Sequence, residues 1–173
     1  SGDGKANQYY LRGFNLDHGT DLALSVAGMP VNQPTHAHGQ GYADLTFLIP
    51  ELVRSLQFRK GASAAEDGDF AAAGSVRVNL VRSLDPGLAQ VEVGAWGFRR
   101  MLAARSVAAG GGALLLAAEG QRQDGPWERP EDLGKVNAVV GWYRAFADQQ
   151  LSLLAMAYAG RWMSTDQIPE RAV

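Results

Sequence analysis

The sequence predicts a small, loop-rich α+β unit over residues 1–83, followed by up-and-down antiparallel β-strands over residues 84–173. Three observations predict it. Short apolar runs in the first part are broken by Gly, Pro, Asn and Asp. The grammar changes at Asp85-Pro86-Gly87, a strong turn signal. Beyond it, segments of about 9–13 residues are joined by alternately short and long connectors.

In the first part, "DLALSVAG", "LTFLIPELV" and "GSVRVNLV" are the apolar runs. "SLQFRKG" and "GSVRVNLV" alternate as half-buried strands do. "PELVRSL" reads as one or two helical turns, because proline suits a first-turn position. Long loops in so small a unit point to function. In the second part, "LAQVEVGAW", "FRRMLAARSV", "GALLLAAEGQ", "KVNAVVGWYRAFA" and "QLSLLAMAYAGRW" lack helix caps. Read with a side-chain period of two, the last segment places Ser152, Leu154, Met156, Tyr158, Gly160 and Trp162 on one face. That face grows aromatic toward its end, as lipid-facing strands do near a membrane interface. In "KVNAVVGWYRAFA", Val136, Ala138, Val140, Trp142 and Phe146 share a face interrupted by Arg144. The alanine-rich segments also suit helices by propensity, and a soluble β-sandwich is the plainer architecture for this part.

With hydrophobic residues at 46% and charged residues at 20%, the chain can bury a core. A net charge of -2 gives no reason to expect a nucleic-acid partner. The absence of cysteine excludes disulfides, thiolate zinc sites and cysteine nucleophiles. No apolar run reaches the roughly 18–20 residues of a membrane-spanning helix, but barrel strands need only about 9–11. There is no G-x-S-x-G elbow, Walker loop or H-E-x-x-H, so no enzyme and no cofactor is expected. "GDGK" has the wrong spacing for a phosphate loop.

The unusual stretch is "THAHGQGYAD", residues 35–44. In extended backbone His36 and His38 point to the same side. With His18 and the nearby Asp17, Asp21 and Asp44 they are candidate ligands for a first-row transition metal. A polar, hydrogen-bonding loop is the blander reading. "RKGASAAEDGD" offers Arg59, Lys60, Glu66, Asp67 and Asp69, with Glu66 and Asp69 as a conceivable carboxylate pair. Its spacing is not that of an EF-hand.

"NQYYLRGFNLDHGTDLALSVAGMPVNQP" resembles the plug domain of a TonB-dependent outer-membrane receptor, in its "LRGF" strand and "V-x-G-M-P-V" turn. "ADLTFLIPELVRSLQFRKGASAAEDGDFAAAGSVRVNLV" resembles the later half of such a plug, and "STDQIPERAV" an extracellular loop. Ala27 stands where plugs carry Asp, and Ala62 where they carry Pro, which loosens one turn and removes a side-chain acceptor from another.

The resemblance implies a fragment. Residues 1–83 would be the second half of a plug, and residues 84–173 about five of the roughly 22 transmembrane strands of a plugged barrel. An extracellular loop is expected near 122–133. Five strands do not close a barrel, so the isolated fragment is not expected to be a well-behaved soluble domain. The implied location is the bacterial outer membrane. The implied partners are the TonB complex, through plug segments outside this chain, outer-membrane lipid, and a small-molecule substrate such as a ferric siderophore or cobalamin-like chelate. The stretch after "V-x-G-M-P" is similar to an apical plug loop, which makes His36, His38, Gln40 and Tyr42 candidate ligand contacts. Arg12 and Phe14 of "LRGF" are further candidates, or Arg12 pairs with a barrel-wall carboxylate. Plug charges are expected to meet Arg99, Arg105, Glu119 or Arg161 in pairs worth about 0–1 kcal/mol. Two rival readings are a soluble periplasmic β-rich protein that holds a metal with His18, His36 and His38, and a metal-dependent hydrolase.

Overall fold

The structure, a computed structural model, describes residues 7–11, 13–16, 19–36 and 39–163, with the backbone alone for Phe14, His36, Gly39 and Gln40. Contacts divide the chain into two compact units, with the boundary along the sequence between Leu80 and Val81.

The first unit is built from β1 (Tyr10–Leu11), β2 (Phe14–Asn15), β3 (Leu22–Val26), β4 (Met29–Pro30), β5 (Gln33–His36), β6 (Gly39–Tyr42), β7 (Val53–Lys60) and β8 (Gly74–Leu80). Its main sheet has the order β4-β3-β8-β7, in which β3 and β8 run parallel and the other pairs antiparallel. In β3 the apolar Leu22, Leu24 and Val26 alternate with less buried residues, so period-two patterning sets which side chains enter the core. Leu16, Leu22, Leu24 and Ala43 form that core, with Leu11, Val31, Leu45 and Val76 packed against it.

The α component of the predicted α+β unit shrinks to two 3-10 turns among the described residues, Pro50–Leu52 and Ala65–Asp67. "PELVRSL" does start at Pro50, but the helix stops after three residues. Val53 onward joins β7, because the alternating "VRSLQFRK" gains a ladder against β8, interrupted only by a bulge at Arg54, that an isolated short helix cannot match.

Between β3 and β4, Ala27 and Gly28 form a two-residue turn with φ of 50° and 82°. Two positive values are the mark of a type I′ hairpin turn. Ala27 therefore sits in a conformation that disfavours any residue with a Cβ. Asn32 then clamps the strand: its Oδ1 accepts from Leu24 N at 2.6 Å, and its Nδ2 donates to the Gly19 and Leu22 carbonyls at 2.7 and 2.9 Å.

The second unit is one antiparallel sheet of β9 (Leu88–Val93), β10 (Arg99–Ala109), β11 (Gly112–Gln123), β12 (Leu133–Phe146) and β13 (Gln149–Arg161), paired in chain order. The strand reading of the alanine-rich segments therefore prevails over the helical one. Two-residue turns at 110–111 and 147–148 close one end, and the connectors 94–98 and 124–132 lie at the other. No helix among the described residues is long and apolar enough to cross a membrane, which says nothing of strands.

Register sorts the side chains of this sheet into two faces. One carries Glu92, Arg100, Glu119, Gln121, Lys135, Asn137 and Tyr158. The other carries Val91, Met101, Val107, Leu116, Val136, Val140, Leu151 and Leu153. The first face is the buried one and mixes polar with apolar residues: Glu119 and Asn137 are 2% and 0% exposed beside the buried Leu102, Leu115 and Val139, whereas Met101, Val136 and Leu153 on the second face are 66%, 59% and 59% exposed. An apolar exposed face, with charged groups enclosed on the other, departs from the arrangement of a water-soluble sheet.

The same register corrects the face expected to be apolar on the last strand. Tyr158 pairs with Asn137 and Met156 with Val139, so Ser152, Leu154, Met156 and Tyr158 lie on the polar side. Leu151, Leu153, Ala155 and Ala157 form the exposed apolar side instead. An edge strand read alone gives two plausible faces, and only pairing to a neighbour decides between them.

Candidate functional site

Within the stretch "THAHGQGYAD", the described residues of β5 and β6 pair antiparallel in their own two-stranded sheet. Gln33 pairs with Tyr42, Thr35 with Gln40 and His36 with Gly39. The backbones of His36, Gln40 and Tyr42 thus belong to one hairpin. His38 lies outside the described residues, as do Arg12, His18 and the segment 164–173. The side chains of Phe14, His36 and Gln40 are outside the description too, so Tyr42 is the one candidate contact whose side chain is placed.

The hairpin is rooted at its C-terminal end. Ala43 is buried in the core with Leu16, Leu22 and Leu24. Gly19 closes over it with φ +63°, and a Cβ on Gly19 would lie 2.7 Å from Ala43 N. Asp44 ties the exit down: its Oδ1 accepts from Thr46 N at 2.9 Å, and its Oδ2 accepts from Thr46 Oγ1 at 2.5 Å. Tyr42 Oη also donates to Asp44 Oδ2, at 3.4 Å. Asp44 is therefore engaged by its own loop, as Asp residues in Asx turns are.

The β1–β2 hairpin stands on the same core. Leu16 N donates to the Tyr9 carbonyl at 2.7 Å, and Tyr9 and Leu11 pack against the cluster that holds Ala43. Burial, then the charge of Asp44 and the neighbouring Tyr42, push the Tyr9 phenol well above its usual range. The β1–β2 and β5–β6 pairs consequently rise from one shared footing. Among the described residues no three His, Asp or Glu side chains converge as a metal site would need, a set that excludes Asp17, His18, His38 and the His36 side chain.

The acids of "RKGASAAEDGD" have partners nearby. Arg59 Nη1 holds Glu66 at 2.9 Å and Asp67 at 3.0 Å, while Arg77 Nη2 holds them at 3.2 and 2.6 Å. Hydrogen bonding from Arg59, then the charge of Arg77, draws the Glu66 carboxyl below its ordinary range. Desolvation pushes Asp67 upward, but hydrogen bonds from Arg77, Ser75 and Arg59 outweigh it and leave it lowered. Glu66 thus works with Asp67 rather than with Asp69. Both arginines come from the adjacent strands β7 and β8.

In the second unit, Glu119 is likewise paired within its own sheet. Arg100 Nη2 donates to Glu119 Oε2 at 2.8 Å and Lys135 Nζ lies 2.9 Å from Oε1. Asn137 Nδ2 adds a longer bond of 3.4 Å to Oε1, and Arg100 also holds Glu92 at 2.6 Å. These residues sit on four neighbouring strands, a clustering that no sequence spacing reveals.

Residues 1–75 match the family model of the TonB-dependent Receptor Plug Domain. No curated protein and no solved structure matches the chain.

Proposed function

We propose, from the membership of residues 1–75 in the TonB-dependent receptor plug family, that this protein is an outer-membrane receptor that imports a scarce nutrient. The five-stranded sheet of the second unit is then part of the transmembrane wall. The observation that carries this is the apolar exposed face of that sheet, with Met101, Val136 and Leu153 outward and Glu119 and Asn137 enclosed on the other side. Such a sheet suits lipid on one side and a polar lumen on the other. Trp142 and Phe146 at the short-turn end, with Arg144 4.2 Å over the Phe146 ring, suit the aromatic girdle at a membrane interface.

The substrate we infer is a metal chelate, of the ferric-siderophore or cobalamin kind. His36, His38, Gln40 and Tyr42 of the rooted hairpin would contact it, with Arg12 and Phe14 of the neighbouring hairpin. No chemical step on the substrate is involved. Release follows when TonB, acting from the periplasm, rearranges the plug. Weak ion pairs would suit an element that must move.

The test uses the full receptor in detergent. Calorimetric titration with a ferric hydroxamate and with a cobalamin is expected to show binding of one of them, weakened about tenfold or more by His36→Ala/His38→Ala. Equal affinity removes the histidines from the site, and binding of neither removes the metal chelate. Fractionation tests the receptor reading itself: a product recovered in the soluble fraction, with no heat-dependent shift on a gel, would overturn it.

A further inference from the structure

We propose that Arg99, Arg122 and Arg161 form a clamp for a net anionic lipid of the outer leaflet whose head group is a phosphate monoester. The inference rests on the membrane-spanning reading of β9–β13 given above. Register places the three arginines in one row across the sheet: Arg99 opposite Arg122, Arg122 opposite Gly134, and Gly134 opposite Arg161. All three are exposed, on the same face as the apolar Met101, Val136 and Ala159.

Two arginines directly opposite one another repel, and sheets avoid that arrangement unless an anion offsets it. No carboxylate partner is found for any of the three among the described residues. The contrast with Arg100 is instructive: one position away, on the other face, it is held by two glutamates. Among the described residues, then, nothing supplies the anion that the outer row calls for.

The shape of the site says what kind of anion. The row borders a groove of about 630 Å³ lined by the three arginines and, beyond them, by Met101, Val136 and Ala159. Glycine makes its floor. A Cβ at Gly120 would meet nothing within 4 Å, and at Gly134 it would meet only the Arg161 side chain, at 3.8 Å from Nε. Guanidinium groups fork onto phosphate oxygens with two parallel hydrogen bonds. The apolar strip beside them offers a path for acyl chains. A head that is a phosphate and a tail that is a hydrocarbon match both halves of the groove, which a free anion does not.

The leaflet follows from the connectors. The arginine row lies at the end that bears the longer connectors 94–98 and 124–132, while the two-residue turns lie at the opposite end. In outer-membrane barrels the short turns are periplasmic and the longer loops extracellular.

The experiment is native mass spectrometry of the full receptor in a zwitterionic detergent. The probes are phosphatidic acid, phosphatidylcholine with the same acyl chains, and inorganic phosphate. Phosphatidic acid is expected to bind in preference to phosphatidylcholine. Arg99→Gln/Arg122→Gln/Arg161→Gln should weaken it about 100-fold, at about fivefold per arginine, while Arg105→Gln on the same face leaves it unchanged. Equal binding by the triple variant, equal binding of phosphatidylcholine, or displacement by equimolar inorganic phosphate would each overturn the clamp. A nitroxide at Leu153→Cys, in receptor reconstituted into vesicles, separates this inference from its premise. Oxygen-accessible and nickel-excluded, it leaves the membrane reading standing whatever the lipid result. Nickel-accessible, it removes the membrane reading and the clamp together.

Discussion

Replacing Glu119 with alanine should destabilise the sheet of β10–β12 far more than an ordinary surface change. The Glu119 side chain is fully enclosed and accepts from Arg100, Lys135 and Asn137. Breaking a buried ion pair by removing one partner costs about 3–5 kcal/mol, because a charge is left stranded. Two features reduce that here. Arg100 keeps Glu92 at 2.6 Å, and the Lys135 side chain is 18% exposed, so its ammonium can turn toward water. The expected loss is about 2–3 kcal/mol, which corresponds to roughly 30–150-fold faster amide exchange through local opening. Hydrogen–deuterium exchange on the full receptor in vesicles, resolved to β10, β11 and β12, measures it. Lys135→Met in the same background should recover about 1 kcal/mol, since it removes one of the stranded charges. Protection in Glu119→Ala within about twofold of the wild type would refute the reasoning, as would a Lys135→Met that deepens the loss.

Ala27→Gly should stabilise the plug unit by about 1 kcal/mol, read as a shift in its urea midpoint, because φ 50° disfavours a Cβ. Asn32→Ala should cost about 2 kcal/mol by the same assay, since it frees three backbone groups from one side chain. Gly74→Ala should cost about 3 kcal/mol and disturb the β7–β8 ladder, because its Cβ would press on the Arg59 carbonyl at φ +153°. The ion network of Glu66 and Asp67 should be sensitive to acid. Both carboxyls are lowered on folding from ordinary values of 4.5 and 3.8, so their contribution is full above those values and disappears as pH falls through the lowered ones. An acid titration of plug stability should flatten in Glu66→Gln/Asp67→Asn; an unchanged slope below pH 4 would contradict it.

Much of the strand plan was legible because period two and turn chemistry are local properties. "QVEVGAW" and "KVNAVVGWYRAFA" state their alternation within a few residues, and Asp85-Pro86-Gly87 states the change of grammar. The helix at Pro50 was over-read for the opposite reason, since the ladder that claims Val53 onward comes from β8, more than twenty residues away. The face of β13 failed likewise, being settled by Asn137 and Val139 on the neighbouring strand. Among site residues, sequence drew attention to the histidines, yet it could not show that Ala43 and Asp44 root their hairpin. Nor could it show that Glu66 and Asp67 answer to Arg59 and Arg77 rather than to more distant arginines. Charges pair across space, and the spacing of acids along the chain holds no record of the strands that will flank them.

The parallel pairing of β3 with β8 has a mechanical meaning. Consider a pull applied ahead of β3 while the chain beyond β8 is held. The two strands run in the same direction, so the load reaches them at opposite ends and all five rungs, from Leu22–Gly74 to Val26–Val78, are strained in shear together. The antiparallel β7–β8 pair, drawn from the same two sides, would instead unzip one rung after another. As long as the shear joint holds, tension bypasses everything between residues 27 and 73. The hairpin at 33–42 lies within that bypassed stretch, so it keeps its shape until the joint slips.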